Sequence, residues 1–260
     1  MSEINPYKPP ESPAASAATA EAGNFIAAGR AVNVGHGWEW ISKGWGLFMR
    51  RPWVWVGATF VWWLFTFVAH YVPLLGLVNA LIAPVLLGGL MLGAHALHEG
   101  GELNFGHLFA GFRKNAGTLI LVGVMAFVAT LLVGIIAAFT MGLSVFQELA
   151  GGNVDIISKA SVQILLGILV GLALLIPIAM AYWFAPVLVV LRDMRAGEAM
   201  KASFIACLKN IMPFLVYGIV LLVPAILATI PMLKGLPWIV LGPVVFGSIY
   251  AAYREIFFPR

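Results

Sequence analysis

Ala83-Pro84-Val85-Leu86-Leu87, Ala185-Pro186-Val187-Leu188-Val189 and Gly242-Pro243-Val244-Val245-Phe246 spell nearly the same word, each deep in an apolar stretch. Upstream of each word, an aromatic pattern at helical spacing ends in a basic or amide residue: Trp45-x-x-Phe48-x-x-Arg51, Phe109-x-x-Phe112-x-x-Asn115 and Phe204-x-x-Cys207-x-x-Asn210. Arg51 and Pro84 lie 33 positions apart (84 − 51), and so do Asn210 and Pro243 (243 − 210). In the middle copy the separation is 71 (186 − 115), so 38 residues are inserted there (71 − 33). A unit recurring in this way decides an architecture before any motif does. The expectation is an all-α integral membrane fold with six transmembrane helices. They form three parallel repeats of one amphipathic interfacial helix and one transmembrane hairpin, spanning residues 34–98, 102–195 and 196–256.

Composition supports a membrane chain. Hydrophobic residues make up 62% of it, charged residues 10%, and the mean hydropathy is +0.97, whereas soluble domains carry roughly 25% charge. Apolar runs near 52–71, 73–95, 117–142, 162–190, 212–230 and 236–253 approach the roughly 20 residues a helix needs to cross about 30 Å of hydrocarbon. Six crossings place both termini on one side. Thirteen of the fifteen Lys and Arg residues fall on that side, leaving Lys159 and Lys234 opposite. Basic residues of short loops stay in the cytoplasm, so both termini are expected there. Residues 1–33, rich in Ala, Pro, Ser and Glu and without hydrophobic periodicity, read as a disordered cytoplasmic tail preceding a single six-span domain over 34–256. No cleavable signal sequence is expected, because the first apolar run begins after some 50 residues behind charged and Trp-rich sequence.

Within each unit the opening stretch is amphipathic. Trp38, Ile41, Trp45 and Phe48 mark the first copy, Phe105, Leu108, Phe109 and Phe112 the second, and Met200, Phe204, Cys207, Leu208 and Ile211 the third. Apolar residues at these spacings, with cations opposite, describe helices lying in the plane of the interface. Pro84, Pro186 and Pro243 are the expected helix kinks. A proline within a span frees a carbonyl that lipid cannot satisfy, so the three should face protein. Gly88, Gly89 and Gly93, with the pair Gly167 and Gly171, read as packing seams. Around Gln147 to Ser161 the inserted loop suits a short external helix.

Arg50, Arg51, Arg113, Lys114, Lys201 and Lys209 sit at or near the ends of the three interfacial helices. They form an expected collar for anionic lipid head groups, since each cation near an anionic surface gains about 1 kcal/mol. The net charge of +4 is spread along membrane-proximal segments, which does not suit nucleic acid. His95-x-x-His98-Glu99 is the best metal-ligand spacing, but neither the zinc-protease pattern nor Cys ligands accompany it, so no metal and no cofactor are expected. Cys207 is the only cysteine, which excludes an intrachain disulfide. Phosphate-binding Gly-rich loops, nucleophile elbows and paired catalytic carboxylates are missing from the sequence. All eleven acids fall in the tail, loops or interfacial segments, which disfavours ion-coupled transport. The chain is therefore expected not to be an enzyme.

Gly35-His36-Gly37-Trp38-Glu39-Trp40-Ile41, followed by Gly44-Trp45-Gly46-Leu47-Phe48 and Arg51-Pro52, resembles a family of uncharacterised proteobacterial inner-membrane proteins. The threefold unit also resembles the group holding YciC-type proteins and the membrane domain of some glycerophosphodiester phosphodiesterases. The likeness covers residues 34–256 and implies a Gram-negative inner membrane. The phosphodiesterase catalytic domain has no counterpart here, so no such activity carries over. Two functions remain open at this point. One is a non-catalytic scaffold or envelope-homeostasis factor that meets anionic lipid and protein partners. The other is a carrier, channel or lipid-handling protein with a path between the three hairpins.

Overall fold

Proline and glycine punctuate the apolar runs and set where each helix begins. In the computed structural model, which describes residues 24–153, 155, 162–227 and 236–259, every regular element among the described residues is helical. Helix α1 (His36–Arg50) is amphipathic and ends at Arg51. Helices α2 (Pro52–Tyr71) and α3 (Pro73–His98) each open on a proline, whose missing N–H has no intrahelical partner to lose there. After a 3-10 helix (Phe105–Phe112) come α4 (Ala116–Met141), the short α5 (Leu143–Ala150), α6 (Val162–Trp183) and α7 (Ala185–Arg192). The last three are α8 (Ala196–Lys209), α9 (Ile211–Leu227) and α10 (Leu236–Phe257).

Five stretches are long and apolar enough to cross a membrane: Pro52–Tyr71, Leu74–His98, Ala116–Met141, Ile164–Arg192 and Trp238–Phe257. Helix α9, with 17 residues, is shorter. It meets α8 at 84°, and the bent pair counts as a sixth candidate. The protein is thus a multi-pass membrane protein with five to six spanning helices. Its outer surface is apolar: Phe60, Leu64 and Phe67 on α2, Leu131, Leu132 and Phe139 on α4, and Ile219 and Leu222 on α9 are all exposed. A contiguous apolar surface of this kind is what lipid contact requires.

Three sequence expectations change. Residues 24–33 do not belong to a disordered tail but pack along the end of α10, where Phe25 stacks on Phe257 and the Ile26 N–H bonds to the Phe257 carbonyl; residues 1–23 lie outside the described residues. The second amphipathic segment is wound as a 3-10 helix rather than an α-helix. At about three residues per turn, Phe105, Leu108 and Gly111 share one face, and Leu108 and Gly111 are buried. Asn104 and His107 cap its start reciprocally. Lastly, Pro186 lies just past a break at Phe184 that separates α6 from α7, whereas Pro84 and Pro243 lie inside continuous helices. Pro177 and Pro224 also lie inside helices, so proline is not confined to the repeated words. Lys159 and Lys234 lie outside the described residues.

Pro84, Pro186 and Pro243 are all buried. Beside Pro186 the ladder is repaired by a side chain: the Phe184 N–H donates to Ser203 Oγ at 2.9 Å, and Ser203 Oγ donates to the Met180 carbonyl at 2.6 Å. A hydroxyl from α8 is thereby inserted where a direct helical bond would otherwise run. Around these prolines Leu90, Met91, Phe184, Leu188, Val189 and Val190 form the centre of the core at zero exposure.

Each amphipathic segment packs against a helix carrying one of the repeated words. Helix α1 lies on α10, the 3-10 helix on α3, and α8 on α6 and α7. Backbone contact is close in the first two. A Cβ on Gly44 would lie 2.6 Å from the Val244 carbonyl oxygen, and one on Gly89 would lie 2.3 Å from the His107 carbonyl oxygen. In the third, Ala199, Ala202, Ser203 and Ala206 supply the small face of α8, and all four are buried.

Candidate functional site at the basic end of the helices

The ends of α1, α3, α7, α8 and α10 meet where most of the cations lie. Asn115, in a left-handed conformation with φ 59°, donates from Nδ2 to the Val189 carbonyl at 3.0 Å and to Asp193 at 2.7 Å. Arg192 donates to the Tyr253 hydroxyl at 3.0 Å, and its guanidinium stands 4.9 Å from the Phe25 ring centre and 4.6 Å from that of Phe258. Such placements join charge to aromatic faces at an interface.

Residues 24–35 form a strap across this end. Phe25 stacks on Phe257 with ring centres 5.8 Å apart. Ile26 N–H bonds to the Phe257 carbonyl, Arg30 N–H to the Ile256 carbonyl and Arg30 Nε to the Glu255 carbonyl. Asn210 grips the strap with both ends of its amide. Its Oδ1 accepts from Val32 N–H at 2.8 Å, and its Nδ2 donates to the Arg30 carbonyl at 2.9 Å. Lys209 donates to the carbonyls of Ala28 and Gly29. Gly29 has φ +61°, and a Cβ there would stand 2.9 Å from Ala206 Cβ. Only glycine fits both demands.

Glu255, near the end of α10, is the polar centre of the site. Its side chain is 10% exposed and accepts from Trp40 Nε1 at 2.9 Å, from the Lys43 ammonium and from the His36 ring. Glu39, one turn before Lys43 on α1, adds a second carboxylate 3.5 Å from Lys43 Nζ. Ligand atoms of His36, Glu39 and Glu255 lie within 4.8 Å of one another, a spacing that would suit a metal. Lys43, however, bonds to both carboxylates and already supplies the positive charge that a metal would bring. His95, His98 and Glu99 do not converge in that way. His95 Nδ1 pairs with the Tyr250 hydroxyl at 2.9 Å, the His98 ring lies 5.7 Å from that of Tyr250, and Glu99 is exposed at the C-cap of α3.

Beside Glu255 a cavity of about 410 Å³ opens between α1 and α10, with Lys43, Arg50, His98, Tyr250 and Arg254 among its lining. Of the six expected collar residues, Arg50 lines this cavity and donates to the Leu97 carbonyl. Arg51 pairs with Glu102, and Lys209 holds the strap. Arg113, Lys114 and Lys201 are exposed. Sequence reading missed Glu255, Lys43 and Arg254. Lys43 follows Glu39 by four positions, a helical ion-pair spacing, and that was the available signal. Nothing local in the sequence ties α10 to α1.

Over 197 residues, 72% of this chain and 73% of the relative, the sequence is 26% identical to a probable inner membrane protein of Burkholderia thailandensis. No protein-family model matches the chain. No solved structure matches it.

Proposed function

We propose that this chain is a non-catalytic scaffold of the bacterial inner membrane, with both termini cytoplasmic, that seats its basic end on anionic lipid and offers that face to protein partners. One observation carries the reading: exposed cations and exposed large apolar side chains stand together at the ends of the amphipathic segments. Trp45 and Met49 accompany Arg50 and Arg51, Phe109 and Phe112 accompany Arg113 and Lys114, and Leu208 and Ile211 accompany Lys209. An element that presents both chemistries side by side suits the boundary between acyl chains and head groups. The inner-membrane relative is consistent with this location, as is the resemblance to inner-membrane and YciC-type proteins.

The threefold repeat belongs to the same proposal. In order, amphipathic segment, apolar helix and helix bearing a repeated word occur three times, the apolar helix of the third unit being the 17-residue α9. The first segment packs on the third proline helix, the second on the first, and the third on the second. Cyclic exchange of this kind is what three parallel units around one axis produce. Buried prolines and glycine contacts at the centre favour a packed scaffold over a carrier with a path between the hairpins.

Lipid retention tests the reading. Full-length protein extracted with native lipid is compared with a variant carrying Gln at Arg50, Arg51, Arg113, Lys114, Lys201 and Lys209. Loss of co-purified phosphatidylglycerol and cardiolipin from the variant is expected. Equal retention by both proteins would reject the anionic-lipid role.

A further inference from the structure

We propose that the cavity between α1 and α10 is a discrete binding site for one phospholipid head group that joins a phosphate to free hydroxyls, as phosphatidylglycerol does. The inference deepens the anionic-lipid reading and rests on it, but it concerns a built pocket and not the general surface. Three cations, Lys43, Arg50 and Arg254, line the cavity against a single carboxylate, Glu255, so the lining favours an anion. Lys43 is held by Glu39 and Glu255. Arg50 spends one donor on the Leu97 carbonyl, while a guanidinium fork has five. Planar, multidentate recognition of phosphate oxygens is the chemistry such a fork suits.

An acceptor in the same wall narrows the ligand class. Glu255 lines the cavity together with the cations, its side chain 10% exposed, whereas the Tyr250 hydroxyl is paired with His95. A phosphodiester has no proton to offer a carboxylate at neutral pH, and the carboxylate would repel it. A ligand that also carries hydroxyl groups turns Glu255 from an obstacle into a partner. A volume of about 410 Å³ lies within the range of small-molecule sites. The lipid source is favoured because Trp45 and Met49, the neighbours of Gly46 and close to Arg50 along α1, are exposed and apolar. Acyl chains leaving the cavity have that surface to follow.

Gly46 provides the means to test the pocket without touching a charge. It lines the cavity, and a Cβ built on it meets nothing within 4 Å, so Gly46→Leu would fill the pocket and leave every cation in place. Full-length protein in nanodiscs of phosphatidylcholine mixed with either phosphatidylglycerol or phosphatidylserine is released into native mass spectrometry, and tightly bound lipids are counted. Wild type is expected to keep one phosphatidylglycerol in preference to phosphatidylserine. Gly46→Leu and, separately, Arg254→Gln should lower its retention about tenfold or more, the size of losing one charge-assisted contact. Their melting temperatures serve as the folding control.

A variant with Gln at Arg51, Arg113, Lys114, Lys201 and Lys209, which spares the pocket, should lose the loosely held anionic lipid but keep the single tight one. If that variant loses nothing while Gly46→Leu does, the collar fails and the pocket stands. Unchanged retention in a folded Gly46→Leu protein would overturn the pocket, as would equal retention of phosphatidylserine by wild type. Displacement of the bound lipid by millimolar inorganic phosphate as readily as by glycerol 3-phosphate would assign the cavity to a free anion and overturn the head-group assignment.

Discussion

Gly111 approaches Val85 so closely that a Cβ built on it would lie 2.0 Å from the Val85 carbonyl oxygen. Gly44 stands in the same relation to Val244, at 2.6 Å. Both valines directly follow a proline of the repeated word, so two amphipathic segments reach backbone contact at corresponding places. Gly111→Ala and Gly44→Ala should therefore each destabilise the fold by at least about 1–3 kcal/mol, the usual penalty for overpacking. Gly46→Ala and Gly117→Ala, where an added Cβ meets nothing within 4 Å, should be neutral or stabilising by about 0.5–1 kcal/mol because alanine suits a helix better. Thermal unfolding in one detergent would compare all four. Equal melting temperatures across the set would refute the close contacts.

Ser203 is fully buried and bridges Phe184 N–H to the Met180 carbonyl. Alanine there would leave two buried backbone groups without that bridge, at a cost of about 1–3 kcal/mol. Ser203→Ala should lower the melting temperature and speed hydrogen exchange at the Phe184 amide, with Ser42→Ala, on an exposed face, as control. Unchanged exchange at Phe184 would mean that the bridge contributes nothing.

Asn210 is buried and bonds to Val32, Arg30 and Ala206. Removing its amide frees the strap while leaving the helices their own core. Asn210→Ala should therefore make the segment between Asn24 and Gly35 open to limited proteolysis and cost about 2 kcal/mol in stability. Lys209→Gln, which removes an exposed donor to the same strap, should have a smaller effect in the same assay. Cleavage at wild-type rates in Asn210→Ala would show that Phe25 and Arg30 hold the strap by themselves.

The spans, the buried prolines and the amphipathic faces were legible because apolar periodicity is local and lipid imposes a fixed length on it. The strap was not, because its order comes from α10 and Asn210, more than 170 residues away in sequence. Likewise the 3-10 winding of 105–112 reflects the Gly111 approach to α3, which no eight-residue window contains. Of the collar cations, Arg50, Arg51, Arg113, Lys114 and Lys209 stand at or beside segment ends, whereas Lys201 lies within α8, and the sequence does not say that Arg51 is paired with Glu102 or that Lys209 is bonded to the strap. Glu255 looked like one more terminal charge. Its role as the acceptor for α1 exists only after α1 and α10 have docked.

Arg30, Arg50, Arg192 and Lys209 each bond to a backbone or side chain at the end of another element, so the cations are knit into one surface and not merely spread along the chain. Moving that surface across the hydrocarbon would carry the whole cluster, each charge costing about 2.5–3.5 kcal/mol at the centre of a span. A reporter fused at Lys159 or Lys234 should accordingly read as periplasmic, and one fused after Arg260 as cytoplasmic, in keeping with the retention of basic loops inside. Replacing Arg113 and Lys114 by Gln should leave that pattern unchanged, since the remaining cations still lie on one side. A cytoplasmic signal at Lys159 or Lys234 in the unaltered protein would overturn the orientation and, with it, the proposal that the basic end meets lipid in the inner leaflet.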